Sequence, residues 1–142
     1  MEAHLAGARA ALDAGAVVCL FPESGPATPP GTARPLGLGV AYFALRADRP
    51  IVPIVLGGTH ELYRGRRFRL VVLAPLTDRE LAGLAPGAPL PEPWSSAERA
   101  LAHRVATGLH ERTAEPIAAA HAAAQPRPGT RKPWRWLQTA WH

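Results

Sequence analysis

Two short apolar runs, Ala16–Phe21 and Ile51–Leu56, bracket one helical stripe, and this alternation limits the folds open to the chain more than any other feature. Each run carries β-branched residues and is closed by turn formers, which suits a buried strand. Between them Ser24–Arg34 is rich in proline and glycine, which excludes a helix or a central strand there. Leu36–Arg46 then reads as a helix, with Leu38, Tyr42 and Leu45 on one face and Val40, Ala41 and Ala44 widening it. Strand, loop, helix, strand is a βαβ unit, and it predicts a parallel pair joined by a right-handed crossover.

The expected fold is therefore α/β, with a parallel or mixed sheet, covering helices and a long C-terminal helix. Glu2–Ala14 reads as a helix, with Leu5, Ala8 and Leu12 on one stripe and Gly15 as its stop. Phe68–Leu73 reads as a third strand. Thr77 and Glu80 form a capping box for a short helix over Thr77–Leu84. Ser95 caps a longer helix, with Glu98 three residues on and an i, i+4 row of Ala97, Leu101, Val105, Leu109, Thr113 and Ile117. Pro116 is expected to kink or end that helix. Residues 1–84 are read as the α/β part, 85–124 as a proline-rich linker and C-terminal helix, and 125–142 as a basic, tryptophan-rich tail.

Ligands of open α/β sheets bind outside the carboxyl ends of strands. Glu23 stands two residues past the first predicted strand, at the head of a long loop, which makes it the first candidate for a site. Gly37 and Gly39 weaken the first turn of the following helix. They permit either close approach of an anion to its amides or tight packing on a sheet, and the residues favour neither. Cys19, the single cysteine, excludes an internal disulfide and is expected to be a buried, inert thiol of the first strand. The six histidines lack metal-ligand spacing, and no metal or cofactor is read; His103, His110 and His121 fall on what reads as a solvated helix face.

Phe21-Pro22-Glu23, a loop, a helix led by Pro35 and carrying Gly39, and then Val52-Pro53-Ile54 together resemble the glycerolipid acyltransferase superfamily, which includes the lysophosphatidic acid acyltransferases. The third block of that family reads Phe-Pro-Glu-Gly-Thr-Arg, and its fourth centres on Val-Pro-Ile or Val-Pro-Val. The resemblance covers about Leu5 to Pro75. It implies transfer of a fatty acyl group from coenzyme A or acyl carrier protein, as co-substrate, to a lysophospholipid hydroxyl, with Glu23, Ser24, Gly25 and Arg34 binding the acceptor.

Departures from the pattern shape this expectation. Ser24-Gly25-Pro26 replaces Gly-Thr-Arg, so the family's phosphate-binding arginine has no counterpart in place, and Arg34 further along the loop is the candidate substitute. Gly37 and Leu38 stand where basic residues usually open the helix. No histidine is followed five residues later by aspartate, so the general base of the family's His-x-x-x-x-Asp block is absent. That block would precede Met1, and the chain is expected to be the later part of a catalytic domain, inactive alone. No catalytic residue is assigned. His60, after the second strand, is a base only for a rearranged site with Glu61 or Glu23.

A net charge of +5 and a pI near 10.6 favour anionic partners. Tyr63-Arg64-Gly65-Arg66-Arg67 is either a solvated turn or a phosphate or carrier contact. Arg131–His142 holds three of the four tryptophans, interleaved with base. It suits packing back on the domain, an anionic membrane surface, or stacking on single-stranded nucleic acid. The alternative to an acyltransferase is thus a non-catalytic basic domain docking on anionic membrane or nucleic acid. No signal peptide or apolar run of spanning length is read, so a cytoplasmic chain, or one peripheral at the inner face of a membrane, is expected.

Overall fold

A computed structural model of the protein describes residues 2–23, 25, 27–60, 63–126, 129 and 131. Among these described residues, four helices and one two-stranded antiparallel sheet make a mixed α/β architecture: α1 (Glu2–Asp13), α2 (Leu38–Ala47), β1 (Ile54–Gly57), β2 (Arg69–Val72), α3 (Asp78–Ala82) and α4 (Ser96–Ala123). The tail beyond Arg131 lies outside the described residues, as do Ser24, Glu61 and Leu62.

The core is a helix–helix seam. Ala41, Tyr42 and Leu45 of α2 meet Leu81 and Ala82 of α3 and Leu101, Ala102, Val105, Ala106 and Leu109 of α4. Leu101, Val105 and Leu109 belong to the i, i+4 row of the sequence; Thr113 of that row is also buried, Ile117 is half-buried and Ala97 is exposed. Small residues on both sides explain how so few aromatics suffice. Caps match their sequence signals. Thr77 and Glu80 close a reciprocal capping box, and Ser95 accepts from the Glu98 N–H. At the end of α1, Gly15 donates to Leu12 and Ala16 to Ala11, the paired bonds of a left-handed glycine stop.

Two clamps fasten the outer helices. Arg9 of α1 donates to the Arg46 carbonyl at 3.1 Å. Arg46 of α2 in turn makes a two-pronged pair with Glu98 of α4, at 3.0 and 2.7 Å. Glu98 is buried and also accepts from the Trp94 N–H at 2.6 Å, while the Arg46 guanidinium stacks 4.0 Å from the Trp94 ring centroid. Burial raises the Glu98 carboxyl, but the Arg46 and Trp94 hydrogen bonds and the Arg46 charge outweigh it and hold it below its ordinary value.

The sheet corrects the sequence reading. The first predicted strand does not form among the described residues. Residues 16–22 run without a ladder partner, Val17 is 92% and Phe21 85% exposed, and Cys19 is exposed rather than buried. The second and third predicted strands pair with each other instead, antiparallel, in the register Ile54↔Val72 to Gly57↔Arg69. With one strand missing there is no parallel pair for α2 to cross between. A further bridge, Ile51↔Leu76, lies one residue out of that register. The extra residue falls between Val72 and Leu76, a bulge that accommodates Pro53 and Pro75.

Helix α4 also runs further than its proline suggests. It passes Pro116 and reaches Ala123, and its last turns pack on the sheet. Gly57 of β1 lies directly against the Ala120 carbonyl, where any Cβ would collide. That contact, with the burial of Ala120 and Ala124, holds the alanine-rich segment beyond Pro116 in the helix. Among the described residues no helix is long and apolar enough to cross a membrane.

Candidate functional site

The Phe-Pro-Glu segment folds back on the start of α2. Glu23 and Leu36 form an isolated antiparallel bridge, and the Gly37 N–H donates to the Pro22 carbonyl at 3.0 Å. The loop between them is tied by Thr32, whose hydroxyl donates to the Pro29 carbonyl at 2.7 Å. Arg34 returns across it: a Cβ on Gly25 would stand 3.1 Å from Arg34 Nη1. Three of the four predicted residues, Glu23, Gly25 and Arg34, therefore belong to one loop neighbourhood, while Ser24 lies outside the described residues. Glu23 is exposed and Arg34 half-buried.

The N-terminus of α2 opens beside this loop. Gly37 occupies the cap position with no side-chain hydrogen bond, and no acid stands in the first turn. The positive end of the helix dipole is thus not neutralised by its own residues. Together with Arg34, it places positive charge in the loop neighbourhood that also holds the Glu23 carboxylate.

The loop rests on α4. His110 Nδ1 lies 3.0 Å from the Arg34 carbonyl. That oxygen can only accept, so Nδ1 carries a proton and donates. Further along, Gly31 lies against the His121 ring, where a Cβ would come within 2.5 Å. His121 in turn meets His60, at 4.8 Å between ring centroids, and its Nε2 approaches Gln125 Nε2 at 2.6 Å. His110 and His121 are half-buried loop supports rather than members of a solvated face, while His103 is exposed. Helical spacing held no sign of the contacts with Arg34, Gly31 and His60, because those partners come from distant segments.

His60 stands after the carboxyl end of β1, as read, and its ring is engaged with His121. The arginine-rich stretch is a turn, closed by Arg66 N–H to the Tyr63 carbonyl at 3.0 Å. Arg66 points inward and is buried. Its Nε donates to the Gly58 carbonyl at 3.0 Å and its guanidinium lies over the Tyr63 ring, while Nη2 is buried with no hydrogen-bond partner among the described residues. A cavity of about 270 Å³ lies elsewhere, between α1 and α2, lined by Leu5, Ala6, Arg9, Phe43, Arg46 and Ala47. None of the predicted site residues lines it. Among the described residues no three His, Cys, Asp or Glu side chains converge as metal ligands would.

The chain matches no family model, no curated protein and no solved structure. Function must therefore be argued from the loop and its neighbours.

Proposed function

We propose that this chain forms the acceptor-binding part of a glycerolipid-type O-acyltransferase, in which a fatty acyl group passes from acyl-coenzyme A or acyl carrier protein to a lysophospholipid hydroxyl. The observation that carries this reading is the closure of Pro22-Glu23 onto Leu36-Gly37, with Arg34 laid over Gly25. The roles follow from chemistry. Arg34 and the uncapped amides of α2 supply positive charge for the acceptor phosphate. Glu23, an acceptor of hydrogen bonds when ionised, receives one from a glycerol hydroxyl. Ser24 and Gly25 carry the backbone between them.

The direct test is calorimetric binding of lysophosphatidic acid to the wild type, Glu23→Ala and Arg34→Gln. Each substitution is expected to weaken binding about tenfold, the scale of one charge-assisted hydrogen bond, with little change in melting temperature. Glu23 is exposed, and the bond from His110 reaches the Arg34 backbone, which the substitution keeps. Unchanged affinity in both variants would remove the site.

A second reading is favoured by the charge: a non-catalytic basic domain on an anionic surface. The net charge of +5 and the exposed Arg64, Arg67 and Arg69 support it. Binding to vesicles and to oligonucleotides over a salt series separates it from catalysis, because electrostatic docking falls steeply with ionic strength.

A further inference from the structure

The two faces of the β1–β2 ribbon differ in what covers them. Val55 and Gly57 face α4 and are buried. On the opposite face the register sets Ile54 beside Val72 and Leu56 beside Leu70, and these four are 47–59% exposed. Val52 and Phe68 continue the same alternation and are 47% and 55% exposed. Six large apolar side chains thus share one outward face. Half-solvated antiparallel strands alternate apolar with polar residues, whereas strands covered on both sides read as unbroken apolar runs. This ribbon has the second pattern with a cover on one side only.

We infer that the outward face of the ribbon is the surface by which the protein seats on an anionic lipid bilayer. Two observations select lipid over a second copy of the chain. The first is charge. Between Gly57 and Leu70 the sequence has four arginines and one acid, Glu61; Arg64 and Arg67 are exposed at the turn, and Arg69, also exposed, stands opposite Gly57 on the α4-facing side at the same end. Arginines at the turn end of an apolar face can reach lipid phosphates while the apolar residues sit among acyl chains. Ala124 packs on Gly58, so α4 ends at this same end of the ribbon. The second is area. Six partly exposed side chains offer on the order of a few hundred Å², below the roughly 800 Å² per partner of a stable protein interface. A bilayer sets no such minimum.

The inference rests on the anionic-surface reading for the kind of partner and adds the face. Co-sedimentation with phosphatidylcholine vesicles, with and without phosphatidylglycerol, tests it. The wild type should bind only the anionic vesicles. Combined Arg64→Gln, Arg67→Gln and Arg69→Gln should weaken that binding about a hundredfold at low salt. Combined Leu56→Ser, Phe68→Ser and Leu70→Ser should weaken it more than about tenfold. A fluorophore on Leu56→Cys, in a Cys19→Ser background, should shift to the blue on anionic vesicles. The same label on Ala97→Cys, an exposed position of α4, should not. This labelling keeps the test open should the serine variant fold poorly. No binding by the wild type would end the anionic-surface reading and this inference together. Binding that survives the serine substitutions, with no shift at position 56, would overturn the face alone. A wild-type dimer that the serines dissociate would give the face to a second copy and overturn the lipid assignment.

Discussion

At the scale of single residues, Glu98 has the most to lose. In the sequence it is only the third residue after a helix cap. In the fold its carboxylate collects Arg46, 52 positions away, and the Trp94 N–H. Removing it strands a half-buried guanidinium and a backbone donor together. Glu98→Ala should therefore cost about 2–4 kcal/mol in urea unfolding, near the range for breaking a buried pair. The pH dependence has a fixed sign. A carboxyl held below its ordinary value contributes stability in full above the unfolded value of about 4.3. The contribution is lost as the pH falls through the lower, folded value. An acid titration of stability should show a loss on that side that Glu98→Gln diminishes. Equal acid sensitivity in the two proteins would assign the loss to other carboxylates. The Arg46 pair was not legible beforehand, because a cap motif records local hydrogen bonds and not a partner 52 positions away.

At the scale of elements, the signals that held were local and complete within a few residues. Gly15, Thr77 with Glu80, and Ser95 stop or start helices through bonds to near neighbours, and each does so where the sequence places it. The strands failed where a partner was required. Ala16–Phe21 has strand composition, but a strand exists only in a ladder, and the described chain offers this one none. The candidate loop stood between these cases. The proximity of Glu23, Gly25 and Arg34 was legible from position, whereas its support by His110 and His121 was not. Two glycines test the packing of elements. Gly57→Ala drives a methyl into the Ala120 carbonyl and should destabilise by about 1–3 kcal/mol as α4 is pushed off β1. Gly39 is exposed within α2 and has open space around its Cβ position, so Gly39→Ala should stabilise by about 1 kcal/mol. If that variant binds lysophosphatidic acid as the wild type does, the glycine is not needed for close approach of an anion. A large loss of binding in the stabilised protein would show that it is.

At the scale of the whole molecule, the question is competence. An acyl transfer to a hydroxyl needs a base within hydrogen-bond reach of the proton it removes, and such assistance contributes typically about 10²–10⁴-fold. The sequence has no histidine followed five residues later by aspartate. His60, after the end of β1, is the histidine nearest to a plausible role, and its ring lies tilted against that of His121. Glu23 is bridged to the start of α2. Residues 1–142, offered acyl-coenzyme A and lysophosphatidic acid, should therefore bind the acceptor but show no acyl transfer above the rate without protein, with or without anionic vesicles. The measurement is release of free coenzyme A thiol, followed in the wild type and in His60→Ala. Turnover in the wild type that vanishes in His60→Ala would make this a compact enzyme with a rearranged base. Turnover that survives His60→Ala but falls with Glu23→Ala would move the base to the loop at the head of α2.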